Sequence, residues 1–332
     1  FIILISSLSY YFIERPFRNK KIISFRKVCI TLIITIICLI FFNSYIIYKG
    51  GLKERVPKIL QEKLRNLKDV NFNTKGTKGN VVLLGDSHSD SIEYLLNEKL
   101  IKESFNLLRF ETRLYVKNLN EYDNKTNKLN KNFKKKNLEI EEYLNEEKNL
   151  IIVIHYRWSF QVLNTLFDNE ESVKIELVSL DDLRKFKPSS ENINEQKRIN
   201  LVKESIIFSI NSLLENNHKV ILVYPVPENG FNVPQLLYNK LIKTNIDAPI
   251  LSTSYDVYKK RNKLIFETLD SIQNDNIYRV YPHKYLCDNQ IKNRCVSNSK
   301  DTIYYHDDNH LSLQGSAYLI KNIVDIIKTI NN

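Results

Sequence analysis

Two short blocks of the sequence hold residue types that can together perform nucleophilic catalysis. In the first, Gly85-Asp86-Ser87-His88 follows a run of β-branched and aliphatic residues and precedes an amphipathic stretch. This order places Ser87 at the carboxyl end of a strand and the start of a helix, where open α/β sheets bind ligands. Helix N-terminal amides stabilise negative charge developing on a substrate oxygen. A serine at this position is also a common helix cap, so the first block alone leaves both roles open.

The second block, Asp307-Asp308-Asn309-His310, stands directly before the last amphipathic pattern of the chain. In a D-x-x-H turn, the carboxylate reaches one imidazole nitrogen while the other nitrogen points toward a nucleophile. Together with Ser87 this supplies a nucleophile, a base and an orienting acid. The two blocks therefore predict a catalytic triad of Ser87, His310 and Asp307.

Histidines beside both blocks raise the alternative of a metal site, in which His88 and His306 act as ligands together with His310. A serine triad needs no cofactor, and a serine-centred site without a cysteine partner makes zinc a poor second choice. We therefore expect no metal and no cofactor in this region. The remaining histidines are expected to be ordinary polar or partly buried residues: His155, His218 and His283.

The surrounding sequence predicts an α/β domain with a parallel sheet. Buried strands are indicated at residues 81–84, 150–154 and 220–224, and more weakly at 105–110 and 277–281. Helical patterns stand between them, and strands that alternate with helices form βαβ units with helices on both faces of the sheet. The Asn/Lys-rich segment 116–136 has few apolar residues and is expected to be a solvated surface insertion.

Residues 28–48 carry no charge, over a length close to the ~20 residues that cross a bilayer. We predict a transmembrane helix; a buried core helix and a signal peptide are the alternatives. A second apolar stretch, residues 1–13, precedes it, and the loop between the two stretches is strongly basic. By the positive-inside rule that loop is cytoplasmic, so the chain after Tyr48 lies outside.

The net charge is +11, from 49 Lys and Arg against 38 Asp and Glu. The lysines are scattered, and no basic stripe or nucleic-acid motif accompanies them, so we expect no nucleic-acid partner. The chain contains no methionine and starts inside an apolar run, and we expect it to be the C-terminal part of a longer protein.

Two of the four cysteines, Cys287 and Cys295, bound a polar loop with the sequence CDNQIKNRC. In an oxidising compartment these two residues are expected to form a disulfide, with two free thiols as the alternative. Their spacing is too wide for a zinc knuckle. The other two, Cys29 and Cys38, fall inside the predicted membrane span.

The G-D-S and D-x-x-H blocks resemble those of the SGNH hydrolase superfamily, and the three-residue spacing selects Asp307 over Asp308. The stretch from Phe12 to Arg18 (FIERPFR) resembles the closing motif of the membrane acyltransferase-3 domain. Further stretches resemble the SGNH domain fused to it: residues 51–57, HYRW at 155–158, PVPENGFNVP at 225–234, the cysteine loop and residues 304–312. Proteins of this kind are bacterial O-acetyltransferases that modify lipopolysaccharide O-antigen or other surface polysaccharides.

The resemblance implies a three-layer α/β/α, flavodoxin-like SGNH fold. It divides the chain into the end of the acyltransferase-3 domain (1–20), the membrane helix (28–48), a linker (49–79) and an extracytoplasmic SGNH domain (80–332). HYRW stands where the superfamily has a Gly-x-Asn block. The implied pocket contains Gly85, Asp86, Arg157 and Trp158, with packing beneath the site as the alternative for the last two.

The same resemblance implies the chemistry and the partners. Ser87 is expected to accept an acyl group, namely acetyl, and to pass it to a hydroxyl of a surface polysaccharide or lipopolysaccharide. The acyltransferase-3 membrane domain of the same protein draws that group from acetyl-CoA, at the bacterial plasma membrane with the SGNH domain periplasmic. An esterase and a non-catalytic polysaccharide-binding module are the alternatives.

The predicted topology can be tested with a reporter that is active only in the cytoplasm. Fused after Leu60, it should be inactive, because that residue follows the predicted span. The same reporter fused after Lys20 should be active. Activity of the Leu60 fusion would contradict the orientation.

Overall fold

A computed structural model of the chain describes residues 6–7, 9–15, 25–48, 76–171, 183–244 and 249–331. The chain divides into two units, Phe1–Leu64 and Arg65–Asn332. The predicted linker, residues 49–79, lies outside the described residues except for 76–79, as does much of the predicted end of the acyltransferase-3 domain. Those domain boundaries therefore stay predictions.

In the first unit, helix α1 (Phe25–Tyr48) contains the predicted membrane span. Among the described residues it is the one helix long and apolar enough to cross a membrane, over Arg26–Tyr48. Three of its polar side chains form hydrogen bonds within the helix: the hydroxyls of Thr31 and Thr35 and the amide of Asn43 each donate to the carbonyl one turn earlier. Such internal bonding is what a hydrocarbon environment requires of polar groups.

In the second unit, five strands form a parallel sheet: β1 (Asn80–Gly85), β2 (Asn106–Glu111), β4 (Ile151–His155), β6 (Lys219–Val223) and β8 (Ile277–Val280). Their order across the sheet is β2–β1–β4–β6–β8. Two small antiparallel pairs accompany the sheet: β3 (Asn120–Asp123) with β5 (Arg184–Lys187), and β7 (Ser252–Ser254) with β9 (Arg294–Val296). The carboxyl ends of β1 and β4 are in register, with Gly85 opposite His155.

Helices cover both faces of the sheet. They are α2 (Ser87–Lys102), α3 (Lys131–Glu146), α4 (Trp158–Leu163), α5 (Glu195–Glu215), α6 (Val233–Thr244), α7 (Tyr255–Asp270), α8 (His283–Leu286) and α9 (Leu313–Asn331). On one face, Val82 and Leu84 of β1 join a buried cluster with apolar residues of α3, α5 and α7. Successive strand residues point to opposite faces, and α2 and α9 pack together on the other side. The three-layer α/β/α prediction and all five predicted strands are confirmed.

The prediction for residues 116–136 is wrong, because the segment is folded into the unit rather than solvated. Its middle forms β3, which pairs with β5, and Leu119 and Tyr122 are buried. The side chain of Asn130 then caps α3 by accepting a hydrogen bond from the Phe133 amide (3.2 Å). The signal was present in the sequence as an apolar residue at 133 followed by Ile140 and Leu144 at helical spacing.

The predicted disulfide between Cys287 and Cys295 is confirmed, and both cysteines are buried. Cys295 lies in β9 opposite Thr253 of β7. The bond therefore ties the loop after α8 to the small antiparallel pair. Cys29 and Cys38, in α1, are free.

Replacing both cysteines of this pair by serine should lower the free energy of unfolding by about 2–3 kcal/mol, because closing a short loop restricts the unfolded chain. The single tryptophan, Trp158, is buried in the second unit, so its fluorescence reports unfolding of that unit in the intact detergent-solubilised chain. A reductant should lower the stability of the wild type by the same amount as the double substitution does, and it should leave the double variant unaffected. Equal stability of wild type and variant would contradict the prediction.

Candidate active site

The turn between β1 and α2 presents Ser87 at the carboxyl edge of the sheet. Gly85 ends the strand, and a Cβ there would lie 2.1 Å from the His155 carbonyl oxygen, so this position accepts only glycine. Asp86 is the helix cap, with its carboxylate accepting from the His88 amide (3.0 Å). Ser87 is the first residue of the helix and is exposed, and an amide at that position has no partner within its own helix.

The loop before α9 brings an imidazole to that serine. His310 Nε2 lies 2.8 Å from Ser87 Oγ, and His310 Nδ1 lies 2.6 Å from Asp307 Oδ2. An ionised carboxylate only accepts hydrogen bonds, so Nδ1 carries the proton and Nε2 is free to accept the serine hydroxyl. The structure thus brings the three residues of the predicted triad into one hydrogen-bonded chain.

Asp307 is also held by the turn that it begins. Its Oδ1 accepts from the backbone amides of Asn309 (2.9 Å) and His310 (2.7 Å). Burial raises the pKa of Asp307, but the hydrogen bond and charge of His310 together with the two amides outweigh that effect and lower it to about 2. The carboxylate is therefore ionised at neutral pH, as an acid that orients an imidazole must be.

Asp308 has different surroundings. Its side chain is buried, and its Oδ2 accepts from the Asn309 side-chain amide at 2.8 Å. Its carbonyl oxygen accepts from the backbone amide of Asn229 (2.8 Å). These contacts anchor the loop, whereas the contact with the imidazole belongs to Asp307.

Asp86 links the nucleophile turn to the turn after β4. Its buried carboxylate accepts from the Arg157 amide (3.1 Å) and from the Gln161 side-chain amide (2.8 Å), in addition to the His88 amide. Burial raises the pKa of Asp86, and these donors act against that shift. The network fixes the serine turn relative to the segment that follows β4.

A cavity of about 310 Å³ opens at the serine. It is lined by Asp86, Ser87, Glu111, Thr112, Arg113, Arg157, Phe160, Gln161, Asn309 and His310. The lining side chains bring hydroxyl, amide, carboxylate and guanidinium groups close to Ser87. Sequence reasoning missed Gln161 and Asn309, because no local pattern distinguishes them from other amides.

The two residues of the HYRW block that were predicted for the pocket, Arg157 and Trp158, lie in different surroundings. Arg157 lines the cavity, with its guanidinium paired with buried Glu228 and lying 4.7 Å from the ring centroid of Phe160.

Trp158 does not line the cavity, so the alternative of packing beneath the site holds for it; Gly85, also predicted for the pocket, is not among the lining residues either. The indole of Trp158 is buried and donates to the Val223 carbonyl (2.8 Å). At the start of α4 this side chain joins the core cluster that contains Val82 and Leu84.

Among the described residues, one group has metal-ligand spacing: His306, Asp307 and His310. His306 is exposed, and its Nε2 lies 3.4 Å from Asp307 Oδ2. Asp307 Oδ2 and His310 Nδ1 are already hydrogen-bonded to each other, and His310 Nε2 faces Ser87. The group thus consists of the base and the acid of the predicted triad with one more imidazole beside them, and the expectation of a metal-free reaction stays a prediction.

Of the remaining histidines, His155 and His218 are buried and His283 is partly buried. His155 ends β4, and burial lowers its pKa to about 3. The ring of His218 contacts the Leu144 carbonyl and the Leu150 amide, and His283 packs among aromatic rings, where burial lowers its pKa to about 4.

Residues 59–325 match the family model described as SGNH domain (fused to AT3 domains). The chain belongs to this family. The sequence-based recognition of an SGNH domain fused to acyltransferase-3 domains is therefore confirmed. Membership supports acyl transfer or acyl-ester hydrolysis as the general chemistry of the SGNH domain.

Two solved structures are similar to this SGNH protein. One is the lipopolysaccharide acetyltransferase periplasmic domain of Salmonella ser. Paratyphi A, at 14% identity and a TM-score of 0.49, covering 81% of this chain and 87% of that one. The other is a putative acylhydrolase from Bacteroides fragilis, at 14% identity and a TM-score of 0.37, covering 81% and 94% respectively. No curated protein matches the chain in sequence.

Substitutions can test the predicted roles in the SGNH site, with turnover of p-nitrophenyl acetate as the measurement. Ser87→Ala and His310→Ala should each reduce kcat by roughly 10⁴–10⁶-fold, and the double variant should be hardly worse. Asp307→Asn should cost about 10³–10⁴-fold, because the imidazole loses its orienting acceptor.

Asp308→Asn is the matched control. It should keep most of the turnover, since an amide oxygen can still accept from the Asn309 side chain. If Asp308→Asn were as damaging as His310→Ala while Asp307→Asn stayed near wild type, the assignment of the acid would be wrong.

Proposed function

We propose that this protein transfers an acetyl group to a hydroxyl of a cell-surface polysaccharide or lipopolysaccharide through an acyl-enzyme on Ser87. The observation that carries the proposal is the chain of hydrogen bonds from Ser87 Oγ through His310 to Asp307. In this family the SGNH domain is fused to acyltransferase-3 domains, which supports acyl transfer as the reaction of the triad.

In the first half-reaction, His310 Nε2 removes the proton of Ser87 as the oxygen attacks the carbonyl carbon of the acyl donor. The Ser87 amide, at the helix N-terminus, donates to the oxyanion that forms. His310 then gives its proton to the leaving group, which departs and leaves acyl-Ser87. Asp307 holds the imidazole in place and balances its positive charge throughout.

In the second half-reaction, a sugar hydroxyl takes the place of the leaving group. His310 removes its proton while the oxygen attacks the ester carbonyl, and it returns that proton to Ser87 as the enzyme is freed. The cavity walls offer Thr112, Gln161 and Asn309 beside the serine. Hydroxyl and amide groups of this kind can hydrogen-bond a hydroxyl-rich acceptor.

The acyl group has to reach Ser87 from a donor, and the acyltransferase-3 membrane domain is the proposed source, with acetyl-CoA on the cytoplasmic side. Helix α1, with its apolar and exposed surface, supports attachment to the bacterial plasma membrane. The basic loop before α1 supports a periplasmic position for the SGNH domain.

Hydrolysis of carbohydrate esters is the second candidate. The exposed position of Ser87 favours it, because water can reach an acyl group on that hydroxyl. The same triad performs either reaction, and the outcome depends on acceptor binding and water exclusion. The hydrogen-bonded triad counts against a module that only binds polysaccharide.

The two reactions separate when the intact chain in detergent is supplied with p-nitrophenyl acetate and de-O-acetylated lipopolysaccharide. Transfer predicts that the polysaccharide accelerates ester consumption and gains acetyl esters, detected by NMR. Hydrolysis predicts free acetate at the same rate with or without the polysaccharide. Ser87→Ala is the control for both. Absence of acetyl-Ser87 in the quenched wild-type enzyme by mass spectrometry would overturn the acyl-enzyme mechanism.

A further inference from the structure

A buried hydrogen bond connects the residue after the nucleophile with the residue before the base. His88 Nε2 lies 2.9 Å from Asn309 Oδ1, across 221 positions of the chain. Both side chains are almost wholly buried, at 2% and 3% exposure. We propose that His88 is a positioning residue whose bond to Asn309 sets the spacing between Ser87 and His310. The proposal rests on the acyl-enzyme function proposed above.

The direction of this hydrogen bond follows from its neighbours. The Asn309 amide nitrogen donates to Asp308 Oδ2 (2.8 Å), so the Asn309 oxygen faces His88 and accepts. His88 Nε2 must therefore carry the proton. The assignment leaves every polar atom in the contact with a suitable partner, which a buried site requires.

Asn309 is in turn fixed to the triad. Its backbone amide donates to Asp307 Oδ1 (2.9 Å), and His310 follows it in sequence. On the other side, the carbonyl of Asp308 accepts from Asn229, so the loop cannot follow a displaced Asn309 without breaking further bonds. A contact made at Asn309 thus acts on both the acid and the base.

At the nucleophile end, His88 is equally constrained. Its backbone amide donates to the Asp86 carboxylate (3.0 Å), and its ring lies 5.1 Å from that of His310 in an edge-to-face arrangement. Burial, and then the charge of His310, lower the pKa of His88 well below its ordinary value. A neutral ring at this place donates a hydrogen bond without repelling the imidazolium that His310 becomes.

His88 is not among the residues that line the cavity around Ser87. A change there should act on the rate of acylation and leave substrate binding alone. A misplacement of about 1 Å between reacting groups can cost about 100-fold in rate. We therefore expect kcat to fall by roughly 10–100-fold with KM unchanged when the donor is lost.

Two amides of different length provide a matched test in the intact chain. The amide nitrogen of His88→Gln reaches the place of the imidazole Nε2 and should keep the bond to Asn309. In His88→Asn the nitrogen reaches only the place of Nδ1, so the bond is lost while the chemistry of the side chain is the same. His88→Leu removes the donor altogether.

The measurements are the rate of Ser87 acylation from a p-nitrophenyl acetate burst, kcat and KM, and the unfolding midpoint from Trp158 fluorescence. The Gln variant should stay near wild type, whereas the Asn and Leu variants should lose rate at unchanged KM. Combined with Asn309→Ala, His88→Asn should cost nothing beyond Asn309→Ala alone, because both changes remove the same bond.

The proposal is overturned if His88→Asn acylates as fast as wild type, or if His88→Gln is as slow as His88→Asn. Additive losses in the double variant would also overturn it. Wild type and Ser87→Ala, run alongside, separate this result from the function itself. If Ser87→Ala turns over the ester as fast as wild type, both the acyl-enzyme mechanism and the positioning role are refuted. If Ser87→Ala is inactive but His88→Asn acylates as fast as wild type, only the role of His88 is refuted.

Discussion

The candidate site depends on one hydrogen bond, between Ser87 Oγ and His310 Nε2, which joins residues 223 positions apart. No local structure can hold two such distant residues within 2.8 Å, so the fold has to do it. A parallel sheet brings the carboxyl ends of its strands to one edge, and β1 delivers the serine there. Helix α9 packs against α2 on one face and places the preceding loop, with His310, beside the start of α2.

Buried polar groups then hold this edge in place. The Asp86 carboxylate ties the serine turn to the segment after β4. The loop after β6 contributes Glu228, which pairs with Arg157, and Asn229, which binds the carbonyl of Asp308. Removing one partner from such a network leaves a buried polar group unsatisfied, which costs more than the intact bond contributes. The edge of the sheet is thus rigid where the reacting groups must stay aligned.

Sequence reasoning succeeded where the determining signal is local. Three of the five sheet strands, β1, β4 and β6, are short runs of buried aliphatic residues, and the D-x-x-H turn brings Asp307 to His310 within a single loop. It failed at residues 116–136, where the many lysines and asparagines obscured the four apolar residues that the fold buries, Val116, Leu119, Tyr122 and Phe133. It also failed for Trp158, since adjacency to Arg157 says nothing about which side of the sheet a helix start will face. Gln161 and Asn309 enter the cavity through tertiary proximity, for which a single sequence holds no pattern.

The distance along the chain between the two candidate catalytic blocks bears on biosynthesis. The ribosome completes β1 and Ser87 long before it reaches the residues that follow β9, where Asp307 and His310 lie. Until that last segment is made and α9 docks beside α2, the nascent polypeptide carries a hydroxyl with no base to activate it. A prematurely terminated product would therefore lack the base and the acid of the predicted triad, and the proposed reaction requires synthesis to pass His310.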